Sequence, residues 1–265
     1  MATVLTGRMC PWKCSFCYPV EVRHYGQMRR RSVDSVLAEL NWLERLHGPL
    51  GGVVFHDSEF FMHKKWLEEF LERYRRETKG WPFWAATRAD MVCRWPELFE
   101  ALVLEGNWRA VSIGFESGSD RVLGLLNKGT TRAQNDEAIR RVNALGDRQE
   151  QSGQRAVEMY ANIMLGIPGE QPEEALETVR MAMQVKRALP SMAFFTPYRG
   201  NVLGEQMWSA GRVLSTGDNY YGFQAKVAGV DYEFYRRLLA GAYNDVLGGE
   251  IERLMLDAAY TGVGD

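Results

Sequence analysis

Residues 10 to 19 read CPWKCSFCYP, which sets thiols at Cys10, Cys14 and Cys17 in the spacing Cys-x3-Cys-x2-Cys. Thiolates are soft ligands suited to zinc, copper(I) and iron–sulfur clusters, and a closed structural zinc site draws four ligands from Cys and His. No fourth ligand stands nearby. Cys93 lies far along the chain in DMVCRW, His24 is the nearest imidazole downstream, and His47, His56 and His63 have no paired ligand spacing. Three thiolates without a fourth partner fit an iron–sulfur cluster with one iron open to another ligand. A zinc site using the same thiols stays open as the alternative. A disulfide with a spare thiol fits less well, because four cysteines in 265 residues are sparse for a secreted framework and the N-terminus has no signal-peptide pattern. Reduced thiols in the cytoplasm are expected. Cys93 reads as a small buried hydrophobe.

Outward from the cysteines, short apolar runs alternate with amphipathic stretches, the pattern of βα units around a parallel sheet. TVLT at residues 3–6 is a first strand. Ser32 and Asp34 open a helix whose apolar positions Val36, Leu37, Leu40, Leu43 and Leu46 recur at helical spacing up to Gly48 and Pro49. GGVVF (51–55) is a second strand and residues 63–78 a second helix. PFWAAT (82–87) is a third strand, with a helix from Pro96 to Gly106. AVSIGF (110–115) is a fourth, with helical material from Asp120 to Leu145. EMYANIML (158–165) is a fifth, with a helix from Pro172 to Leu189, and MAFFT (192–196) a sixth. Six such units allow a partial barrel, a full barrel lacking strands, or an open sheet. No apolar run approaches the ~20 residues that span a bilayer. With 46% hydrophobic and 25% charged residues and a net charge of −2, the chain can bury a core and has no overall basic bias toward nucleic acid. The basic run Arg29-Arg30-Arg31 reads as a solvated loop before a helix, with contact to an anion as the alternative.

In parallel β/α barrels the functional groups collect at the C-terminal ends of the strands. On the fourth strand Val111, Ile113 and Phe115 would face the helices, leaving Ser112, Gly114 and Glu116 toward the interior. A carboxylate at an inward strand end reads as a ligand contact, or as a buried partner of a barrel arginine. Arg88 offers itself as that partner, sharing a strand face with Trp84 and Ala86, or as a fork for a carboxylate ligand. His56-Asp57-Ser58-Glu59 ends the second strand, where Asp57 and Glu59 could accept from an ammonium or cap a helix. MLGIPGE ends the fifth, where Gly166 and Gly169 permit close backbone approach and Pro168 fixes the turn. Gly118 could simply end a strand before a cap at Ser119 or Asp120.

The cysteine segment resembles the signature of the radical S-adenosylmethionine (radical SAM) enzymes, and its flanks are similar to the core found in cobalamin-binding radical SAM proteins. The likeness runs on through GQMRRRSVDSVLAEL, VVFHDSEFF, WAATRAD, SIGFESGSDRVLGLLNKGTT, IMLGIPGE and FFTPYRG, in that order. It covers about the first 200 residues and implies a partial (β/α)6 TIM-like barrel; residues 201–265 lie outside the likeness and are expected to form a mainly helical extension. The resemblance implies a [4Fe–4S] cluster on Cys10, Cys14 and Cys17, and S-adenosylmethionine cleaved to methionine and a 5′-deoxyadenosyl radical. The S-adenosylmethionine contacts it implies are Phe16, Asp57, Glu59, Arg88, Ser112, Glu116, Met164 and Gly166, with Met164 and Gly166 along the adenine and Tyr18 able to line the site. It also implies an electron donor such as flavodoxin or ferredoxin and a substrate that the sequence does not name. HDSE replaces the family's Gly-Gly-Glu form.

The likeness has departures. Nine residues precede Cys10, so the expectation is that cobalamin is unused, is supplied in trans by a separate cobalamin-binding protein for methyl transfer, or has been lost with a domain. There is no second cysteine cluster for auxiliary centres, and no counterpart of the added cysteines and RNA-binding module of tRNA methylthiotransferases. The non-enzymatic alternative is a module binding zinc or a cluster through the same thiols. The aromatic stretch from Tyr220 to Ala259 reads as a packed helical pair, or as a lid over the open side of the barrel.

Overall fold

The computed structural model describes residues 1–8, 10–17, 27–187, 190–214 and 226–247. Six parallel strands form one sheet, β1 (Ala2–Val4), β4 (Val53–Phe55), β5 (Phe83–Arg88), β6 (Trp108–Glu116), β7 (Glu158–Leu165) and β8 (Ser191–Phe194), paired in that order. Helices cross between successive strands: α1 (Val33–His47), α2 (Lys64–Glu77), α3 (Ala89–Arg94) with α4 (Pro96–Leu104), α5 (Asp120–Leu125) with α6 (Arg132–Gln151), and α7 (Pro172–Ala182). The order runs from β1 to β8 without closing, which is the expected partial barrel. Two antiparallel pairs stand apart, β2 (Gly7–Arg8) with β3 (Arg29–Arg30) and β9 (Val213–Leu214) with β10 (Lys226–Val227). After the sheet come α8 (Val202–Ser209) and α9 (Tyr232–Leu247).

The helices begin where local chemistry starts them. Ser32 caps α1 by accepting from the Ser35 amide, and Thr131 with Gln134 forms a reciprocal capping box on α6. Between the sheet and α2 and α4 sits an aromatic core in which Phe55, Phe60, Phe61, Phe70, Phe83, Phe99 and Trp108 are buried. Phe83 stacks on Trp108 at 5.7 Å, and Phe60 meets the same indole edge-on at 5.4 Å.

Four details depart from the sequence reading. The residues between the third strand and Pro96, to which the sequence reading gave no helix, form the separate helix α3; proline disfavours helix at the residue before it, and Trp95 breaks the pair there. The helical material from Asp120 divides, because Asn127 (φ 47°) and Gly129 (φ 72°) adopt left-handed backbone between α5 and α6. α7 ends at Ala182, and residues 188–189 at its expected end lie outside the described residues. Arg29 and Arg30 form strand β3 rather than a loop. His24, Tyr18 and, within the stretch from Tyr220 to Ala259, residues 220–225 and 248–259 also lie outside the described residues.

Candidate active site

The cysteine loop leaves β2 at the C-terminal end of the sheet and is held by backbone bonds and by the side chains of Ser15, Asn127 and Asn201. The Ser15 amide donates to the Leu126 carbonyl at 2.8 Å, and Ser15 Oγ donates to the Leu125 carbonyl. Asn127 Nδ2 donates to the Lys13 carbonyl at 2.7 Å, Asn201 Nδ2 to the Phe16 carbonyl at 2.8 Å, and the Leu203 amide to the Ser15 carbonyl. The α5–α6 turn and the start of α8 thus clamp the loop. Within it, the Cys17 amide donates to the Cys14 carbonyl at 3.2 Å.

Cys10 and Cys14 are half-buried and Cys17 is exposed, and none is in a disulfide. Burial pushes the Cys10 thiol up to about 11, and the charges of Glu59, Cys14 and Cys17 push the same way. Among the described residues no three Cys, His, Asp or Glu side chains already form a metal cage. The donor set nevertheless fits a thiolate-ligated cluster: three reduced, soft ligands on one clamped loop. Ligation must overcome the burial of Cys10, which a cation does by stabilising the thiolate.

Beneath the loop, Arg88 at the end of β5 donates from NH1 to Cys14 Sγ at 3.6 Å, and its guanidinium lies 4.4 Å from the centre of the Trp12 ring. It also pairs with Asp90 at 2.9 Å and donates to the Lys128 carbonyl at 2.5 Å. The suggested Arg88–Glu116 pair is not formed. Glu116 instead accepts from Lys128 Nζ at 2.9 Å, with both side chains buried. Lys128 belongs to the turn after α5, and its ammonium also stands 5.8 Å from the centre of the Phe16 ring.

Glu116 has φ 63°, and β6 shifts register against β7 between Gly114 and Glu116. A left-handed non-glycine residue at a bulge is costly backbone, found where a side chain must be re-aimed. Val111, Ile113 and Phe115 are fully buried, as the alternation requires. On the same strand Ser112 accepts from Asn162 Nδ2 at 2.9 Å.

The two acids of HDSE divide their labour. Asp57 accepts from the Thr6 amide at 3.1 Å, from Thr6 Oγ1 at 2.8 Å and from the Gly7 amide at 2.5 Å, so it fastens the link between β1 and β2, just before the cysteine loop, to the segment after β4. Burial raises its carboxyl despite these bonds. Glu59 is buried and accepts from the Phe61 amide at 3.0 Å; burial raises it to about 7, with the Phe61 amide and the Arg88 charge opposing. Neither acid caps α2, whose N-cap is His63 without a side-chain bond.

Phe16 and Met164 come together in a second apolar cluster with Val122, Leu126 and Ile167. Gly166 (φ 69°) faces the C-terminal segment, where an added Cβ would lie 3.4 Å from Val230 and 3.5 Å from Phe194. Its amide donates to Glu170 at 3.0 Å. Burial raises the Glu170 carboxyl to about 7, with Tyr235 of α9 and the Gly166 amide opposing. Its folded value therefore lies above its unfolded value near 4.5, so stability falls as pH rises from about 4.5 to 7 and is flat above. Glu170→Gln removes that slope. The variant is expected to match the wild type near pH 4 and to exceed it by about 1–2 kcal/mol at pH 8, measured by urea melts at both values.

Gly118 does more than end a strand. Its amide donates to Thr178 Oγ1 at 2.8 Å, and an added Cβ would lie 2.7 Å from the Glu177 carbonyl oxygen and 2.8 Å from Thr178 Cα. The turn after β6 rests directly on the α7 backbone. Gly118→Ala is expected to destabilise by about 1–3 kcal/mol in chemical denaturation.

Sequence reasoning missed Lys128, Asn127 and Asn201. A lysine inside NKGTT, directly after the apolar run of α5, was the available signal for the first.

The sequence profile of the Radical SAM superfamily matches residues 4–182. An uncharacterized methyltransferase of Pyrococcus horikoshii is 27% identical over 202 residues, covering 76% of this chain and 41% of its own length. The anaerobic magnesium-protoporphyrin IX monomethyl ester cyclase of Rubrivivax gelatinosus is 28% identical over 192 residues, covering 72% of this chain and 32% of its own length. The chain thus spans well under half of these relatives. Among solved structures, the cobalamin-dependent S-adenosylmethionine radical enzyme OxsB superposes with a TM-score of 0.70 at 17% identity, over 92% of this chain and 41% of that one. That likeness is one of fold.

Proposed function

The chain belongs to the radical SAM superfamily, and on that premise we propose that it holds a [4Fe–4S] cluster on Cys10, Cys14 and Cys17 and uses it to cleave S-adenosylmethionine reductively. The observation that carries the proposal is the clamped loop of three reduced thiols beside Arg88, Lys128 and Glu116. Bound there, the cluster would supply the electron that breaks the sulfonium C–S bond, giving methionine and a 5′-deoxyadenosyl radical.

The chain's own residues contribute binding, orientation and charge. Glu116, aimed by the bulge, and Ser112 offer acceptors for the polar part of S-adenosylmethionine. Arg88 and Lys128 place positive charge beside Cys14 and Phe16 and suit its carboxylate. Glu59 offers an acceptor for its ammonium, whereas Asp57, with three donors already, acts through the position of the loop. Phe16, Met164 and Gly166 line the apolar side for adenine. Division at residue 200 into a barrel core and an extension is part of the same reading: α9 lies against α7, and Tyr232 and Tyr235 pack on Phe194 of the edge strand β8.

Methyl transfer is favoured as the substrate reaction by the methyltransferase relative, with cobalamin carried by a separate protein and electrons arriving from a flavodoxin or ferredoxin. No helix among the described residues is long and apolar enough to cross a membrane.

The test is anaerobic reconstitution with iron and sulfide, reduction in the presence of S-adenosylmethionine, and chromatography for 5′-deoxyadenosine. Its formation, dependent on the cluster, is expected. Added methylcobalamin should change the product balance only if methyl transfer is the reaction. A cluster that leaves S-adenosylmethionine intact would contradict the proposal.

A further inference from the structure

A cleft of about 700 Å³ opens between the starts of α1 and α2 and the α3–α4 junction, lined by Arg30, Arg31, Lys64, Lys65 and Arg94 and by no carboxylate. In a chain of net charge −2 this is a local concentration of positive charge. Arg31 is paired with Glu39, and Lys64 with Glu68 at 3.7 Å. Lys65 and Arg94 have no carboxylate partner among the described residues.

One wall of the cleft is tied to the strand that precedes the cysteine loop. Arg30 lies on β3, which pairs with β2, and β2 leads directly toward Cys10. Arg30 also donates to the Phe60 carbonyl at 3.1 Å, one residue beyond Glu59.

We propose that this cleft docks an acidic one-electron carrier protein that delivers the electron to the cluster; the inference rests on the cluster reading above. The cleft does not converge on a small anion. Arg30 is committed to Thr6 Oγ1 and the Phe60 carbonyl, and the Trp66 ring stacks on Phe70 and carries the Arg30 guanidinium 4.6 Å from its centre. Lys64, Lys65 and Arg94 are exposed, which suits the small, electrostatically steered encounters of redox partners. The step itself is simple: the carrier's reduced flavin or iron–sulfur centre loses one electron and the cluster gains one, with no bond or proton in the balance.

The test compares the wild type with K65E/R94E, and with K65A/R94A as the milder variant, using an acidic flavodoxin as the probe. Calorimetric titration at low and high salt is the first readout, and it is independent of turnover. Charge reversal is expected to weaken the complex at least about tenfold at low salt and to flatten its salt dependence, with the alanine pair between. Formation of 5′-deoxyadenosine driven by flavodoxin should fall in step, while formation driven by dithionite stays at the wild-type level. Equal affinities, no measurable wild-type complex, or equal loss with both reductants would overturn the docking surface. Failure of the wild type to form product with dithionite would instead strike the cluster reading, and the binding titration would still judge the cleft.

Discussion

Replacing Cys10, Cys14 and Cys17 together by Ala is expected to abolish iron–sulfur loading and to bring 5′-deoxyadenosine to background, while the protein stays folded. Thiolates are the ligands such clusters need, and an alanine methyl supplies none. The fold should survive because the loop is clamped through Ser15, Asn127, Asn201 and backbone carbonyls. The substitution does break the long Arg88–Cys14 hydrogen bond of 3.6 Å, but Arg88 keeps Asp90 and the Lys128 carbonyl. Thermal melts in circular dichroism should therefore move by only a few degrees, about 1 kcal/mol or less. Iron and sulfide analysis after reconstitution is the measurement. A triple variant that still loads a cluster would show that other ligands hold it.

The second large effect is expected at Lys128. Lys128→Met keeps much of the side-chain length but leaves Glu116 a buried carboxylate without its cation. The partners have side-chain exposures of 7% and 11%, so water does little to replace the lost charge. Breaking a buried pair from one side costs about 3–5 kcal/mol. In a chain of this size that corresponds to roughly 10 °C in Tm. Adding Glu116→Gln should recover part of the loss, because a neutral amide tolerates burial better, and a double-mutant cycle in urea would measure the coupling. Lys128→Arg retains the charge and should be milder. A loss below about 1 kcal/mol in Lys128→Met would mean that Glu116 is satisfied from elsewhere.

The fold was legible because its signals are local. Six apolar runs separated by helical periodicity fixed the βα units, and the observed β7 spans the same residues, 158–165, as the sequence reading. Capping chemistry at Ser32 and turn chemistry at Pro96 placed helix starts to within a residue. The break at Asn127–Thr131 was missed because nothing in local propensity requires Asn127 to be left-handed; its long-range bond to the Lys13 carbonyl selects that conformation.

The site was legible in residue type but not in pairing. Alternation on β6 grouped Glu116 with Gly114, and the Glu116 carboxylate does lie on the Gly114 side, 2.6 Å from where an added Cβ would stand. Its partner, twelve residues later in a turn, is chosen by tertiary approach. Asp57 illustrates the converse: a strand-end acid looks the same in sequence whether it awaits a ligand or fastens neighbouring amides, and here it holds Thr6 and Gly7. Arg88 likewise found Asp90 two residues on, a partner that strand periodicity does not reveal.

The central claim concerns what Cys10, Cys14 and Cys17 hold, so the most direct measurement is Mössbauer spectroscopy with metal analysis on the anaerobically reconstituted protein, with and without S-adenosylmethionine. The account predicts about four irons per chain in a cubane cluster, with one iron site perturbed when S-adenosylmethionine is added. About one zinc per chain with no cluster, or a cluster whose spectrum ignores S-adenosylmethionine, would contradict it.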